Sequence, residues 1–139
     1  MTFNVIAHVW RKPGTTMEEF VEYYENKHIP LIYDLAGSKV PLHHIRHYVR
    51  RNSPDPAITT GELSNLQTFA TLFKDKPDGV DYDVMVEMAF EDKTAWEAFV
   101  GVFALPDAAA KLAEDEVKFV DGSKTSIFLV SHTATSERK

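Results

Sequence analysis

The chain contains no cysteine. Disulfide frameworks, thiolate zinc sites and a cysteine nucleophile are therefore excluded together. No apolar run reaches the roughly 18 residues that a membrane-spanning helix needs. Positive charge is also scarce, because 15 Lys+Arg against 21 Asp+Glu leave a formal net charge of −6. That is the wrong sign for gripping phosphate backbones, which argues against a nucleic-acid partner. The six glycines are scattered, so the sequence holds no phosphate-cradling loop, dinucleotide fingerprint or Gly-x-Ser-x-Gly elbow. The opening Met1-Thr2-Phe3-Asn4 has no basic segment leading into an apolar stretch, and no signal peptide is read there. The expectation is one cytoplasmic domain over residues 1–139, with no membrane or nucleic-acid partner.

What is present is ordinary globular material: 139 residues, 44% hydrophobic and 12% aromatic. A chain of this length buries roughly 70% of its unfolded surface, enough for one core. Phe3 to Trp10 alternates, with Phe3, Val5, Ala7 and Val9 on one face and Asn4, Ile6, His8 and Trp10 on the other. Thr16-x-x-Glu19 forms a capping box before Met17, Phe20, Val21, Tyr24 and His28, which share a helical face. Pro30 disfavours helical geometry at Ile29, yet Leu31 and Leu35 resume the pattern, so a helix kinked near Pro30 and capped by Gly37 is expected.

Leu42 to Arg51 reads as a second strand and Tyr82 to Phe90 as a third. The proline-bearing connection 53–81 carries a short amphipathic pattern that includes Phe69 and Phe73. It is either a lid that shields an aromatic substrate or a packing insertion at a subunit edge. Asp92 caps a further helix, Asp107 opens another through about Val120, and Thr125 to His132 closes the fold as a strand before a flexible tail, 133–139. The order β-α-β-loop-β-α-α-β gives an α+β, ferredoxin-like four-stranded antiparallel sheet with helices on one face. The other face carries Ile6, Trp10, Met85, Phe128 and Val130. A homodimer closing sheet on sheet, a dimeric α+β barrel, would bury that surface.

Six histidines in an acidic chain supply the chemistry. Neutral imidazoles exchange protons at physiological pH, which suits enolisation, dehydration and decarboxylation of keto compounds. His28, on the apolar helix face, is either an acid–base group or an imidazole satisfying carbonyls freed by Pro30. On the second strand His44, Arg46 and Tyr48 share one face, opposite His43, Ile45, His47 and Val49. The apolar Ile45 and Val49 point the latter set toward the helices. His44, Arg46 and Tyr48 would then face the barrel with His8, Asp83, Glu87 and His132. In that arrangement His44, Tyr48 and His8 move protons, while Asp83, Glu87, His132, Trp10 and Phe69 line the substrate. Arg46 either holds an acidic group or pairs across strands with Asp83 or Glu87. His43 and His47 stand about 13 Å apart on a strand, too far to share a metal ion, so no metal is expected.

The run Arg11-Lys12-Pro13-Gly14-x-x-Met17-x-x-Phe20, then Tyr24-x-x-x-His28-x-Pro30-Leu31, resembles the EthD family of dimeric α+β barrels. So do Tyr82-Asp83, Glu87-x-x-Phe90 and Asp115-Glu116-x-x-Phe119-x-Asp121. His44-x-Arg46-His47-Tyr48-x-x-Arg51 is similar to the subset found in fungal aromatic polyketide pathways. That resemblance implies a cofactor-free homodimeric lyase that decarboxylates, dehydrates or cyclises a polyketide intermediate. The alternatives are a non-catalytic small-molecule-binding or stress-related dimer, and a cofactor-free monooxygenase.

Overall fold

The computed structural model describes residues 2–50 and 80–138. The expected lid or insertion, Phe69 included, lies outside the described residues apart from its last two positions. Four strands, β1 (Phe3–Val9), β2 (His43–Tyr48), β3 (Val84–Phe90) and β4 (Ser126–Leu129), form one sheet in the order β2-β3-β1-β4. Every pairing is antiparallel. This is the ferredoxin-like arrangement that the element order implied.

One face of the sheet is built for packing. Val5, Ala7 and Val9 of β1 stand opposite Met88, Val86 and Val84 of β3, and all are buried. Against them lie α1 (Met17–Tyr23), α2 (Ile29–Ala36), α3 (Lys93–Phe103) and α4 (Pro106–Glu116), which contribute Phe20, Ile32, Ala36 and Phe99 to the core. The helix starts follow from sequence. Thr16 Oγ1 accepts the Glu19 backbone N–H while the Glu19 carboxylate accepts the Thr16 N–H, and Asp92 accepts from the N–H of Ala95. Gly37 ends α2 at φ 58°, ψ −121°, a backbone conformation that suits glycine.

Three details depart from expectation. First, the perturbation expected near Pro30 takes the form of a π-helical turn, Tyr24–His28, between α1 and α2, and the chain stays helical through it. The ring of Pro30 crowds the carbonyl four residues back, and widening the preceding turn, so that the Ile29 N–H reaches the Tyr24 carbonyl, accommodates it. Second, β2 presents its other face. Its register sets His44, Arg46 and Tyr48 beside Met88, Val86 and Val84, on the helix-covered side. Ile45 lies on the open side, 46% exposed. Third, the last strand stops at Leu129, so His132 lies beyond it and is exposed.

The open face carries Asn4, Ile6 and His8 from β1, Met85 and Glu87 from β3, His43, Ile45 and His47 from β2, and Phe128 from β4. Among the described residues, no helix is long and apolar enough to cross a membrane.

Candidate active site

The end of β1 is stitched to the segment that follows α4: Lys12 N–H donates to the Phe119 carbonyl at 2.8 Å and Asp121 N–H to the Trp10 carbonyl at 2.8 Å. This fixes the C-terminal end of α4 beside the π-helical turn. Asp115 lies there on the buried stripe of α4, in step with Ala108 on the helix and Phe119 just beyond its end. The turn directs Tyr24 and His28 into the core and brings Glu25 over β2.

The centre is a His–Asp pair. His28 Nδ1 lies 2.7 Å from Asp115 Oδ2, and the Tyr23 hydroxyl donates to Asp115 Oδ1 at 2.8 Å. A carboxylate holding Nδ1–H leaves the lone pair of the neutral ring on Nε2. Burial pushes the His28 pKa below its ordinary value, opposed by the Asp115 carboxylate. Desolvation first, and then the bond to Asp115, pushes the Tyr23 phenol up to about 12. Tyr24 and Phe119 close around the His28 ring, with centroids at 4.9 and 5.0 Å. The arrangement is a desolvated imidazole, oriented through one nitrogen and basic at the other.

Next to it sits a closed charge cluster. Arg46 donates through Nε to Glu25 Oε2 at 2.9 Å and through Nη2 to Oε1 at 2.5 Å, while Nη1 reaches the His44 carbonyl at 2.7 Å. The Tyr48 hydroxyl donates to the same Glu25 Oε2 at 2.6 Å. Arg46 and Tyr48 hold the Glu25 carboxyl below its ordinary pKa, and burial together with Glu25 raises Tyr48. His44 stacks on Tyr33, rings nearly parallel at 6.0 Å, and its Nδ1 is buried without a hydrogen-bond partner among the described residues. Burial, with the Arg46 charge and His28 adding to it, lowers its pKa to about 4.

The structure thus joins His28 with His44, Arg46 and Tyr48 and separates them from the other expected site residues. The alternative reading of Arg46, a cross-strand pair with Asp83 or Glu87, is replaced by a pair with Glu25, because Arg46 points to the helices. His8 belongs to the open face, stacked on Tyr82 at 4.1 Å, with Trp10 and Phe128 edge-on at 6.5 and 5.5 Å. Trp10 Nε1 is buried there without a hydrogen-bond partner among the described residues. Glu87 pairs with His47 on the same face. Asp83 accepts the Arg11 backbone N–H at 2.8 Å and pairs with its guanidinium at 3.5 Å, fastening strand ends. His132, exposed past β4, joins neither cluster.

Sequence reasoning missed the roles of Tyr23, Glu25, Tyr33 and Asp115. Asp115 had a signal, a carboxylate on an otherwise apolar helical stripe, which folding tolerates only with partners. Among the described residues, no three His, Asp or Glu side chains converge as a metal-ligand set.

The fold is a ferredoxin-like sheet with a buried His–Asp pair under its helices, and the family is shown by the domain model. The EthD domain model matches residues 12–123, and the chain belongs to the EthD domain family. No curated protein sequence matches it significantly. Among solved structures it is similar to an ethyl tert-butyl ether D (EthD) family protein from Bacillus halodurans, with TM-score 0.52, 17% identity, and coverage of 96% of this chain and 100% of that one. An EthD-like protein from Ralstonia eutropha aligns with TM-score 0.52 and 12% identity over 93% of this chain and 87% of its own. A DABB family protein with a ferredoxin-like fold, from Mesorhizobium loti, aligns with TM-score 0.50 and 16% identity over 96% and 98%. At these identities the likeness shows the fold.

Proposed function

We propose that the chain is a cofactor-independent lyase that enolises an aromatic polyketide-type ketone, with His28 as general base and Asp115 as its positioning partner. The observation that carries this reading is the buried His28–Asp115 bond at 2.7 Å. His28 Nε2 removes a proton from the carbon next to a ketone, and the C–H electron pair becomes an enolate. The enolate re-forms the carbonyl and expels hydroxide from the β-carbon, which takes the proton back from the imidazolium. One water is lost, and nothing is oxidised or reduced.

Dehydration, and ring closure by the same enolate on an internal carbonyl, fit this chemistry better than decarboxylation does. Burial holds His28 and His44 in their neutral forms, so neither is a ready acid at neutral pH. The charge of the nearby guanidinium is already balanced by Glu25.

A homodimer is part of the proposal. Phe128 (45% exposed) and Ile45, with Ile6 and Met85, are the apolar residues of the mixed open face that a two-fold partner would cover. A second reading, a non-catalytic binding dimer, draws on the double satisfaction of Asp115 by Tyr23 and His28, a pattern that purely structural networks share.

The test is to incubate the purified chain with a β-hydroxy-ketone that aromatises on losing water, following mass and absorbance. Wild-type protein is expected to release water and His28→Asn is not. A folded His28→Asn variant with wild-type turnover overturns the assignment, and ligand stabilisation without product favours the binding dimer.

A further inference from the structure

We infer that a ligand bound beside His28 and His44 is selected as an uncharged hydroxyaryl compound over a carboxylate, with His44 as the residue that recognises the hydroxyl. This rests on the reading of the His28–Asp115 surroundings as the binding site.

The first reason is charge. One guanidinium edge, Nε and Nη2, is engaged by both oxygens of Glu25, and Nη1 donates to the His44 carbonyl. Tyr48 spends its proton on the same carboxylate. An incoming carboxylate would enter beside Glu25 and Asp115 and meet a guanidinium whose charge Glu25 already balances, which is costly in a desolvated site.

The second reason is an orphaned atom. His44 Nδ1 is buried with no hydrogen-bond partner among the described residues. Such a buried unsatisfied group calls for an explanation, and a ligand hydroxyl that completes it is one. The ring is kept uncharged by burial, and a neutral imidazole meets a hydroxyl in either sense, accepting its proton or donating its own. Tyr33, 37% exposed and nearly parallel to His44, adds a flat aromatic surface beside that nitrogen. A hydroxylated aromatic ring supplies both a hydroxyl for Nδ1 and a face for stacking.

The experiment is isothermal titration of the full chain at neutral pH with three probes: a hydroxytetralone, the unsubstituted tetralone and the matching tetralone carboxylate. Wild-type protein is expected to bind the hydroxyl probe about tenfold or more tighter than the other two. His44→Phe keeps the stack and is expected to bind the hydroxyl and unsubstituted probes alike. Should it not fold, His44→Gln, which restores a hydrogen-bonding group, is expected to keep part of the preference. Glu25→Gln releases Arg46 and is expected to gain about tenfold for the carboxylate probe. The inference is overturned if wild-type protein prefers the carboxylate, shows no hydroxyl preference, or keeps that preference in His44→Phe. Hydroxyl-selective binding without α-proton exchange on any probe contradicts the lyase reading and leaves the recognition claim standing. Exchange on all three probes alike does the reverse.

Discussion

His28 Nδ1 and Asp115 Oδ2 meet at 2.7 Å although 87 residues separate them in the chain. Both side chains are buried, and Tyr23 occupies the second oxygen of Asp115. The imidazole is therefore held in one orientation and one tautomer. Asp115→Asn keeps the shape but inverts the hydrogen-bond preference at Nδ1, so activity is expected to fall roughly a thousandfold or more. Steady-state kinetics on folded protein checks this. Tyr23→Phe, which removes one of two donors to Asp115, is expected to cost about 1 kcal/mol of stability in urea melts and far less activity.

Stability is expected to fall on acidification below neutrality. His44 is lowered from 6.5 to about 4 and His28 is lowered as well, both by burial first. As the pH drops through 6.5 the unfolded chain takes up protons that the folded chain refuses, so stability present above 6.5 is lost progressively toward pH 4. His44 alone accounts for on the order of 3 kcal/mol over that window. The depressed Glu25 carboxyl acts in the same direction at lower pH. Denaturant melts from pH 7.5 down to about 4 measure the slope, and His44→Phe is expected to flatten it.

The bond between Glu25 and Arg46 also staples the π-helical turn to the edge strand β2. Glu25→Ala removes the acceptor for Arg46 and Tyr48 together and is expected to destabilise by about 1–3 kcal/mol. Arg46→Lys, with a point charge in place of the two-pronged fork, keeps the charge pair and is expected to cost only part of that amount. Thermal melts of the three chains decide it.

Phe128 and Ile45 face away from the helices and remain half-exposed. If the open face closes on a second copy, Phe128→Asp places a charge in that interface and yields monomers at micromolar concentration, with the His28 site intact. Sedimentation velocity distinguishes this from a wild type that is already monomeric, which contradicts the proposed dimer.

The sheet was legible because burial imposes a period of two: Val5, Ala7 and Val9 against Val84, Val86 and Met88 announce one packed face. The helix starts were legible because caps are local chemistry at Thr16 and Asp92. The face of β2 was not. Hydrophobicity assigned Ile45 inward, yet the polar His44, Arg46 and Tyr48 take that side because Glu25 and the aromatic rings of Phe20 and Tyr24 receive them. Those partners come from a different element, and an edge strand with one residue type per pleat cannot disclose them. The same holds for Asp115. Its place on an apolar stripe signalled a buried carboxylate, but the partner 87 residues away becomes visible only in three dimensions. The π-helical turn was hidden in the same way, since Pro30 signals a perturbed helix without saying whether it bends or widens.

The most direct measurement is proton exchange at the carbon next to the ketone of a hydroxytetralone in deuterated buffer, followed by NMR with wild-type, Asp115→Asn and His28→Asn chains. With His28 as the base, wild-type protein accelerates deuterium uptake, Asp115→Asn retains a small fraction, and His28→Asn returns to the buffer rate. Uptake by a folded His28→Asn chain at the wild-type rate, or no acceleration by wild-type protein with the ketone bound, contradicts it.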